Sequence, residues 1–375
     1  MVVGAGALGN EVLKNLALFG IGNVVVVDFD TIELGNLSRS ILFRTEDASN
    51  QSYKATVATQ RIKEINPTIS VYPICRNLAT DVGLGVYRRM DVVIGCLDNL
   101  LSRIVLNRLC IRSGTTWIDG GIGEFEGQVS VYQPGKSCYE CNLTEEERSD
   151  FNQQMSCAAI VQMYEKKGRV STTSISASLI AAVQVQEALK IIHQEDHDCG
   201  AFSSLVGKLF TYEGMSTSFD IYDFSANNPE CNAHENWSPV VEIPELSADT
   251  KLHQAFPIIQ NHLGVRSVEI NLRNNRFVDK IVSRKDNKSF YPFLPESRIT
   301  EYIQTTGELR DIQIAEGFYQ NRFENIDENF PYLYFTFKQI GIPYFDVIQV
   351  STEKGFFYIE LSKDLKKYEK YSSTR

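Results

Sequence analysis

Apolar and polar positions alternate in two different ways along the 375-residue chain. In the first part, short continuous apolar runs take turns with helical spacing. Val24 to Asp28 is an apolar run ending in acid, as a strand covered on both faces would be. Asn10–Phe19 reads as a helix, and so does Lys54–Ile65, with Ala55, Ala58, Ile62 and Ile65 on one side and Pro67 just past its end. Val92–Ile94 predicts another buried strand, Leu101–Cys110 a helix, and Trp117–Asp119 and Gln128–Tyr132 two further strands. From Ser171 to Ile192 the pattern starts polar and becomes a strong helix around Leu179, Val183, Val185, Ala188 and Ile191. Alternating strands and helices predict an α/β, doubly wound, mostly parallel sheet covered by helices on both sides.

Between Asp223 and Thr250 the composition shifts, with Pro229, Pro239 and Pro244 among Asn, Glu and Ser. The boundary is placed there, giving domains 1–238 and 239–375. The second reads as an α+β module rich in aromatics. It has a helix at Leu252–Leu263 and strands near Val268–Leu272, Phe277–Val282, Tyr332–Phe337, Phe345–Val350 and Phe356–Leu361. No internal repeat or low-complexity tract stands out.

Composition narrows the class without choosing the chemistry. Hydrophobic residues at 43% and charged residues at 22% fit a globular chain and exclude a disordered or fibrous one. A formal charge of -10 argues against a dedicated nucleic-acid binder or an anionic-membrane reader. No segment reaches the roughly 18–20 uncharged apolar residues of a membrane helix, and Glu11 and Lys14 interrupt the apolar start. A cytoplasmic location, no nucleic acid and no membrane are the expectations. The eight cysteines are too sparse for a secreted disulfide scaffold.

Gly4-Ala5-Gly6-Ala7-Leu8-Gly9 fits G-x-G-x-x-G after a strand and before a helix. Such a turn lets backbone N–H groups and a helix dipole approach a phosphate. Asp28, 19 residues after Gly9, stands where a ribose-binding acid would. Alone, this fits an NAD-dependent oxidoreductase. The next block favours a nucleoside triphosphate: Asp28-Phe29-Asp30, then Asn36-Leu37-Ser38-Arg39, then Lys54 opening a helix. An Arg and a Lys together suit the charge that builds as pyrophosphate leaves. Cys96-Leu97-Asp98-Asn99 ends the next strand, and a carboxylate there suits Mg²⁺ held partly by phosphates. The bland readings are a solvated salt bridge for Arg39 and Lys54 and a helix N-cap for Asp98.

This ordered set of G-x-G-x-x-G, D-x-D, N-x-x-R, Lys and C-x-D-N resembles the ThiF-type adenylating fold over roughly residues 1–235. That fold is shared by thiamine- and molybdopterin-pathway adenylyltransferases and ubiquitin-activating enzymes. The resemblance implies binding of ATP and Mg²⁺ and formation of an acyl-adenylate on the C-terminal glycine of a ubiquitin-like or sulfur-carrier protein. Gly4, Gly6, Ala7, Gly9, Asp28, Asp30, Asn36, Arg39, Lys54, Asp98 and Asn99 would form the nucleotide site, with Asp28 on the ribose, Asn36, Arg39 and Lys54 on the phosphates, and Asp98 on Mg²⁺. Arg39, Lys54 and Asp98 would be the catalytic charges.

The resemblance also pairs the knuckle Cys138-Tyr139-Glu140-Cys141 with Cys231-Asn232-Ala233-His234, where the family usually ends in a second Cys. Three thiolates and an imidazole make a closed Zn²⁺ site. Cys157, in a polar stretch before the long helix, matches the segment where thioester- or persulfide-forming members keep a reactive cysteine. Cys199 is the weaker competitor, and Cys75, Cys96 and Cys110 read as core. The chain opens almost inside its first motif, so a preceding segment, with the arginine that relatives lend to a partner's ATP site, is expected before Met1.

The expected function is MgATP-dependent activation of a ubiquitin-like protein, followed by a thioester on Cys157. Alternatives are a sulfur-carrier adenylyltransferase without a thioester, a non-catalytic adenylation-fold scaffold, and the oxidoreductase. A homodimer is expected, and residues 239–375 offer a place to recruit a conjugating enzyme, or to act as a prop or lid.

Overall fold

In a computed structural model of the chain, the described residues are 1–144, 147, 172–194, 203–224, 226–272, 275–282, 288–305 and 319–364. They fall into two compact units. Among the described residues, the first comprises those within 1–79, 87–144 and 172–236, and the second those within 80–86 and 237–364 together with 147.

The first unit is built on an eight-stranded sheet. Its strands are β1 (Val2–Val3), β2 (Asn23–Val27), β3 (Ser70–Ile74), β4 (Val93–Gly95), β5 (Trp117–Ile122), β6 (Glu126–Tyr132), β7 (Lys208–Glu213) and β8 (Ser218–Asp223), in the order β3-β2-β1-β4-β5-β6-β7-β8. β1 to β5 pair in parallel and β5 to β8 antiparallel. The order reverses direction between β1 and β4, which opens a crevice at their carboxyl ends. The helices are α1 (Ala7–Phe19), α2 (Thr45–Ser49), α3 (Lys54–Ile65), α5 (Leu100–Ser113) and α6 (Ser174–Ile192), while the single turn α4 (Leu84–Tyr87) has all but its last residue in the second unit. Leu8, Val12, Leu13 and Leu16 bury one side of α1, and Gly20 at φ 78° ends it in the left-handed region that a side chain resists. Among the described residues α6 is the one helix long and apolar enough to cross a membrane, but half of it is buried as the core helix behind β5 and β6.

The second unit has its own core, from Ile243 through Phe256, Ile270 and Phe337 to Leu361. One sheet joins β9 (Val240–Glu242), β10 (Glu269–Asn271), β15 (Asn325–Ile326), β16 (Val347–Thr352) and β17 (Gly355–Glu360) in the order β15-β10-β16-β17-β9. Another gathers β12 (Ser289–Phe290), β13 (Leu294–Pro295) and β14 (Tyr319–Phe323) around β11 (Phe277–Val282). The helices are α7 (Leu252–Leu263) and α8 (Ile299–Thr305).

The expected strand at Tyr332–Phe337 does not form. Phe335 N–H bonds back to Tyr332 O at 2.9 Å in a turn, and only Thr336 bridges, to Lys251. From these turns Phe337 enters the core, Tyr332 and Phe335 pack partly against it and Tyr334 stays exposed. A loop from the first half of the sequence also belongs here. Leu84 N–H donates to Asp346 Oδ1 at 2.8 Å, and Gly85 N–H to Phe345 O at 3.0 Å. A Cβ on Gly83 would lie 2.4 Å from Tyr344 O, so backbone can approach backbone only because the residue is glycine.

Candidate active site

Three neighbouring strands, β2, β1 and β4, deliver the motif residues to one carboxyl edge of the sheet. Gly4 leaves β1 at φ 95°, with its N–H on Val27 O at 2.8 Å; a Cβ there would sit 2.4 Å from Cys96 O. A Cβ on Gly9 would sit 2.0 Å from Gly4 O. These two glycines are required by packing. Gly6 is not: a Cβ there meets nothing within 4 Å. It is the N-cap of α1 and no side chain caps it. The space beside Gly6 is therefore open at an uncapped helix N-terminus, the arrangement that accepts a phosphate.

Asp28 fastens this turn to β2. Its Oδ2 accepts Ala5 N–H at 2.7 Å and its Oδ1 accepts Asp30 N–H at 2.8 Å. Burial raises its pKa, opposed by the Lys54 charge and by the two N–H donors. Each oxygen keeps a second lone pair for a ribose hydroxyl. Lys54 starts α3, and its backbone N–H reaches Asp30 O at 2.9 Å. Its ammonium, 12% exposed, lies 2.7 Å from Asp30 Oδ2. Asp28, Asp30 and Lys54 are thus brought together with the glycine turn.

Asn36 and Arg39 lie on the next loop. Asn36 Oδ1 accepts Glu33 N–H at 2.9 Å, and Arg39 Nη1 reaches Gly35 O at 3.4 Å, the guanidinium's one hydrogen bond among the described residues. Asn10 pins this loop to the glycine turn. Fully buried, it donates to Ala5 O and Gly6 O and accepts Leu42 N–H at 2.9 Å. Sequence reasoning passed over Asn10; its signal was a polar residue at the first buried turn of an otherwise apolar helix face.

At the end of β4, Asp98 is exposed. The helix cap is Asn99, which accepts Ser102 N–H at 2.8 Å and donates to Asp98 Oδ1 at 3.1 Å. Asn99 is therefore occupied by capping, and Asp98 is the carboxylate left facing solvent at the sheet edge. A lone exposed carboxylate beside a phosphate-binding turn suits Mg²⁺, which completes its shell with phosphates and water.

The loop carrying Asp98 is held by a pair that the sequence reading missed. Arg103, on α5, donates through Nη2 to Leu97 O at 2.9 Å and to Gly120 O at 3.2 Å. Its Nε lies 3.2 Å from Asp119 Oδ1, an ion pair too bent to count as a hydrogen bond. Asp119 is 2% exposed; burial raises its pKa and Arg103 opposes the rise. Arg103 is held further on the protonated side, chiefly by Asp119. The clue was an acid inside the apolar strand Trp117–Ile122.

The knuckle residues lie together with Cys231 and His234, the pairing that the resemblance implied. Cys138 Sγ lies 3.7 Å from Cys141 Sγ and 3.8 Å from Cys231 Sγ, and Cys141 Sγ lies 3.3 Å from His234 Nε2. All four donor atoms lie within 4.8 Å of one another. Tetrahedral zinc with bonds of about 2.3 Å to sulfur requires sulfurs about 3.8 Å apart, so the donor set fits the ion. Arg108 anchors the knuckle to α5 with two bonds to Glu140, at 2.9 and 2.7 Å. Cys110 is buried, while Cys75 and Cys96 are partly buried against the core. Cys157 and Cys199 lie outside the described residues.

The family model described as ThiF matches residues 1–233. The SUMO-activating enzyme subunit uba-2 of Caenorhabditis elegans is 41% identical over 143 residues, 38% of this chain and 24% of that protein. The sulfur carrier protein adenylyltransferase of Thermus thermophilus is 30% identical over 239 residues, 62% of this chain and 80% of that protein. The SAMP-activating enzyme E1 of Haloferax volcanii is 29% identical over 231 residues, 62% of this chain and 78% of that protein. The match thus spans about a quarter of the SUMO-activating subunit and about four-fifths of the other two.

Proposed function

The chain belongs to the ThiF family, and we propose that it is an ATP-dependent adenylyltransferase acting on the C-terminal glycine of a ubiquitin-like protein. The observation that carries this reading is Gly6, whose added Cβ would meet nothing although Gly4 and Gly9 are packed against backbone. Space kept at an uncapped helix N-terminus has a use in the approach of a phosphate. In the proposed reaction a glycine carboxylate oxygen attacks the α-phosphorus of ATP, the bond to the β,γ-pyrophosphate breaks, and an acyl-adenylate forms. No proton needs to be removed from an ionised carboxylate, so the protein's work is alignment and charge neutralisation. Asp28 would take the ribose, and Asn36, Arg39 and Lys54 the phosphates. Asp98 would hold a magnesium ion, which offsets charge on the departing pyrophosphate. Lys54 would exchange its bond to Asp30 for a phosphate oxygen. The Cys138, Cys141, Cys231 and His234 cluster would hold a structural zinc, with no open position for chemistry.

A thioester would follow when the Cys157 thiolate attacks the adenylate carbonyl and AMP leaves. A second reading, sulfur-carrier adenylation without this step, is favoured by the Thermus relative, 80% of whose length is matched. In either case we place the reaction in the cytoplasm, on a homodimer. The separating experiment mixes the protein with ATP, Mg²⁺ and a small protein ending in Gly-Gly. A thiol-sensitive adduct lost in Cys157→Ala supports conjugation. Pyrophosphate exchange without such an adduct supports the sulfur-carrier reading. No exchange with either class of carrier refutes adenylation.

A further inference from the structure

The C-terminal unit buries a carboxylate that its own fold leaves half satisfied. Asp279, in the middle of β11, is 5% exposed and sits at the register shift where that strand pairs with β14. Its Oδ2 accepts the Tyr332 hydroxyl at 2.8 Å and Asn321 Nδ2 at 3.4 Å. Its Oδ1 is buried with no hydrogen-bond partner among the described residues. An idle buried carboxylate oxygen costs stability that an apolar residue in this strand would avoid. Burial and the Asp279 bond push the Tyr332 hydroxyl up to about 12, so it remains a donor.

The ring that shields Asp279 is the hub of an aromatic surface. Phe293 meets Tyr332 edge-on at 5.3 Å, and Phe335 stacks on Tyr332 at 5.5 Å. Phe293 stands at 81° to Phe335 and stacks at 6.2 Å with Tyr291, while Tyr334 stands at 84° to Phe335. The rings therefore form a connected cluster that mixes stacked and edge-on contacts. Tyr291 is 56% exposed and Tyr334 59%. Phe293 adopts φ 51°, a left-handed conformation that bulky residues avoid, so its ring is held here against backbone preference. Ring faces carry negative charge density, and their polar ligand is an ammonium or guanidinium group. The chain already makes one such contact, with Lys280 Nζ 5.9 Å from the Tyr291 centroid.

We propose that this face of the C-terminal unit is a docking site for a lysine or arginine side chain presented by a partner protein. The rings of Tyr291, Phe293, Tyr334 and Phe335 would cover the apolar stem and face the cation, and Asp279 would supply the countercharge behind Tyr332. The carboxylate and the ring faces have the sign that such a side chain complements. The site is independent of the adenylation reading, since none of its residues belongs to the nucleotide cleft.

The test titrates the full chain with a capped hexalysine peptide and with the same peptide fully acetylated on its lysines, by calorimetry at fixed salt. The expected result is binding of the lysine form alone. Asp279→Asn, which keeps an acceptor for Tyr332, should weaken it at least fivefold. The double substitution Tyr291→Leu with Tyr334→Leu, at exposed positions, should do the same without changing the melting temperature. Binding of the acetylated peptide as tight as that of the lysine form would overturn the proposal, and so would unchanged affinity in the double substitution. The latter result would assign the peptide to the general acidic surface. If Asp279→Asn does not fold, the tyrosine pair alone decides.

Discussion

Replacing Arg103 by Met removes the bonds to Leu97 O and Gly120 O, the ion pair with Asp119 and the contact with Tyr139. It leaves Asp119, 2% exposed, without a countercharge. Stranding one partner of a buried pair costs about 3–5 kcal/mol. Removing the acid as well, in Arg103→Met with Asp119→Leu, leaves the two orphaned carbonyls, at about 1 kcal/mol each, and the lost contact with Tyr139, which both variants share. The double variant should therefore be more stable than Arg103→Met by about 1–3 kcal/mol. Urea unfolding in a Trp237→Phe background reports on the first unit alone, because the remaining tryptophan, Trp117, lies in the same strand as Asp119. The pH dependence adds a check on sign. A carboxyl whose folded pKa is raised binds protons more tightly in the native state, so its contribution is present at low pH and lost as pH rises through the folded value. Without Arg103 that value rises further, so the deficit of Arg103→Met should shrink as the solution is acidified. Strictly additive losses, or a deficit that does not depend on pH, would refute the reasoning.

Three further outcomes are expected. Gly9→Ala puts a Cβ 2.0 Å from Gly4 O, backbone against backbone, and should fail to accumulate as folded protein in a solubility and circular dichroism assay. His234→Ala should lower zinc content measured by plasma mass spectrometry and reduce the melting temperature, and chelators should match that loss in the parent chain. Glu353 accepts N–H bonds from Arg266 and Ser267, which lower its pKa to about 2. A depressed carboxyl stabilises above its unfolded pKa and loses that contribution as pH falls toward the folded value. Glu353→Gln should thus cost stability at pH 7 and nothing near pH 2, as read from melting curves.

The parallel half of the sheet was legible because its strands are buried on both faces and its helices keep one apolar side. Helices 54–65 and 252–263 and strand 277–282 were read to the residue. What escaped lay where tertiary context overrides local pattern. β3 holds Pro73 and half-buried residues, so no apolar run marks it. β8 leaves five of its six residues exposed. Tyr332–Phe337 has a strand's composition but forms turns that send Phe337 into the core and leave Tyr334 exposed. At the site, the glycines, the acids and the Cys138–Cys141 knuckle announced themselves by spacing, because ligand geometry fixes it, while the resemblance supplied Cys231 and His234. Asn10, Arg103 and Asp119 act through the fold, joining loops far apart in sequence, and no local spacing encodes them.

The central claim rests on the open space at Gly6, and Gly6→Ala tests it most directly. A Cβ there meets no protein atom within 4 Å, so the variant should fold and melt like the parent. It should nevertheless lose MgATP binding in calorimetry by at least tenfold, because the methyl group occupies the phosphate's place. A variant that binds MgATP as tightly as the parent would contradict the account.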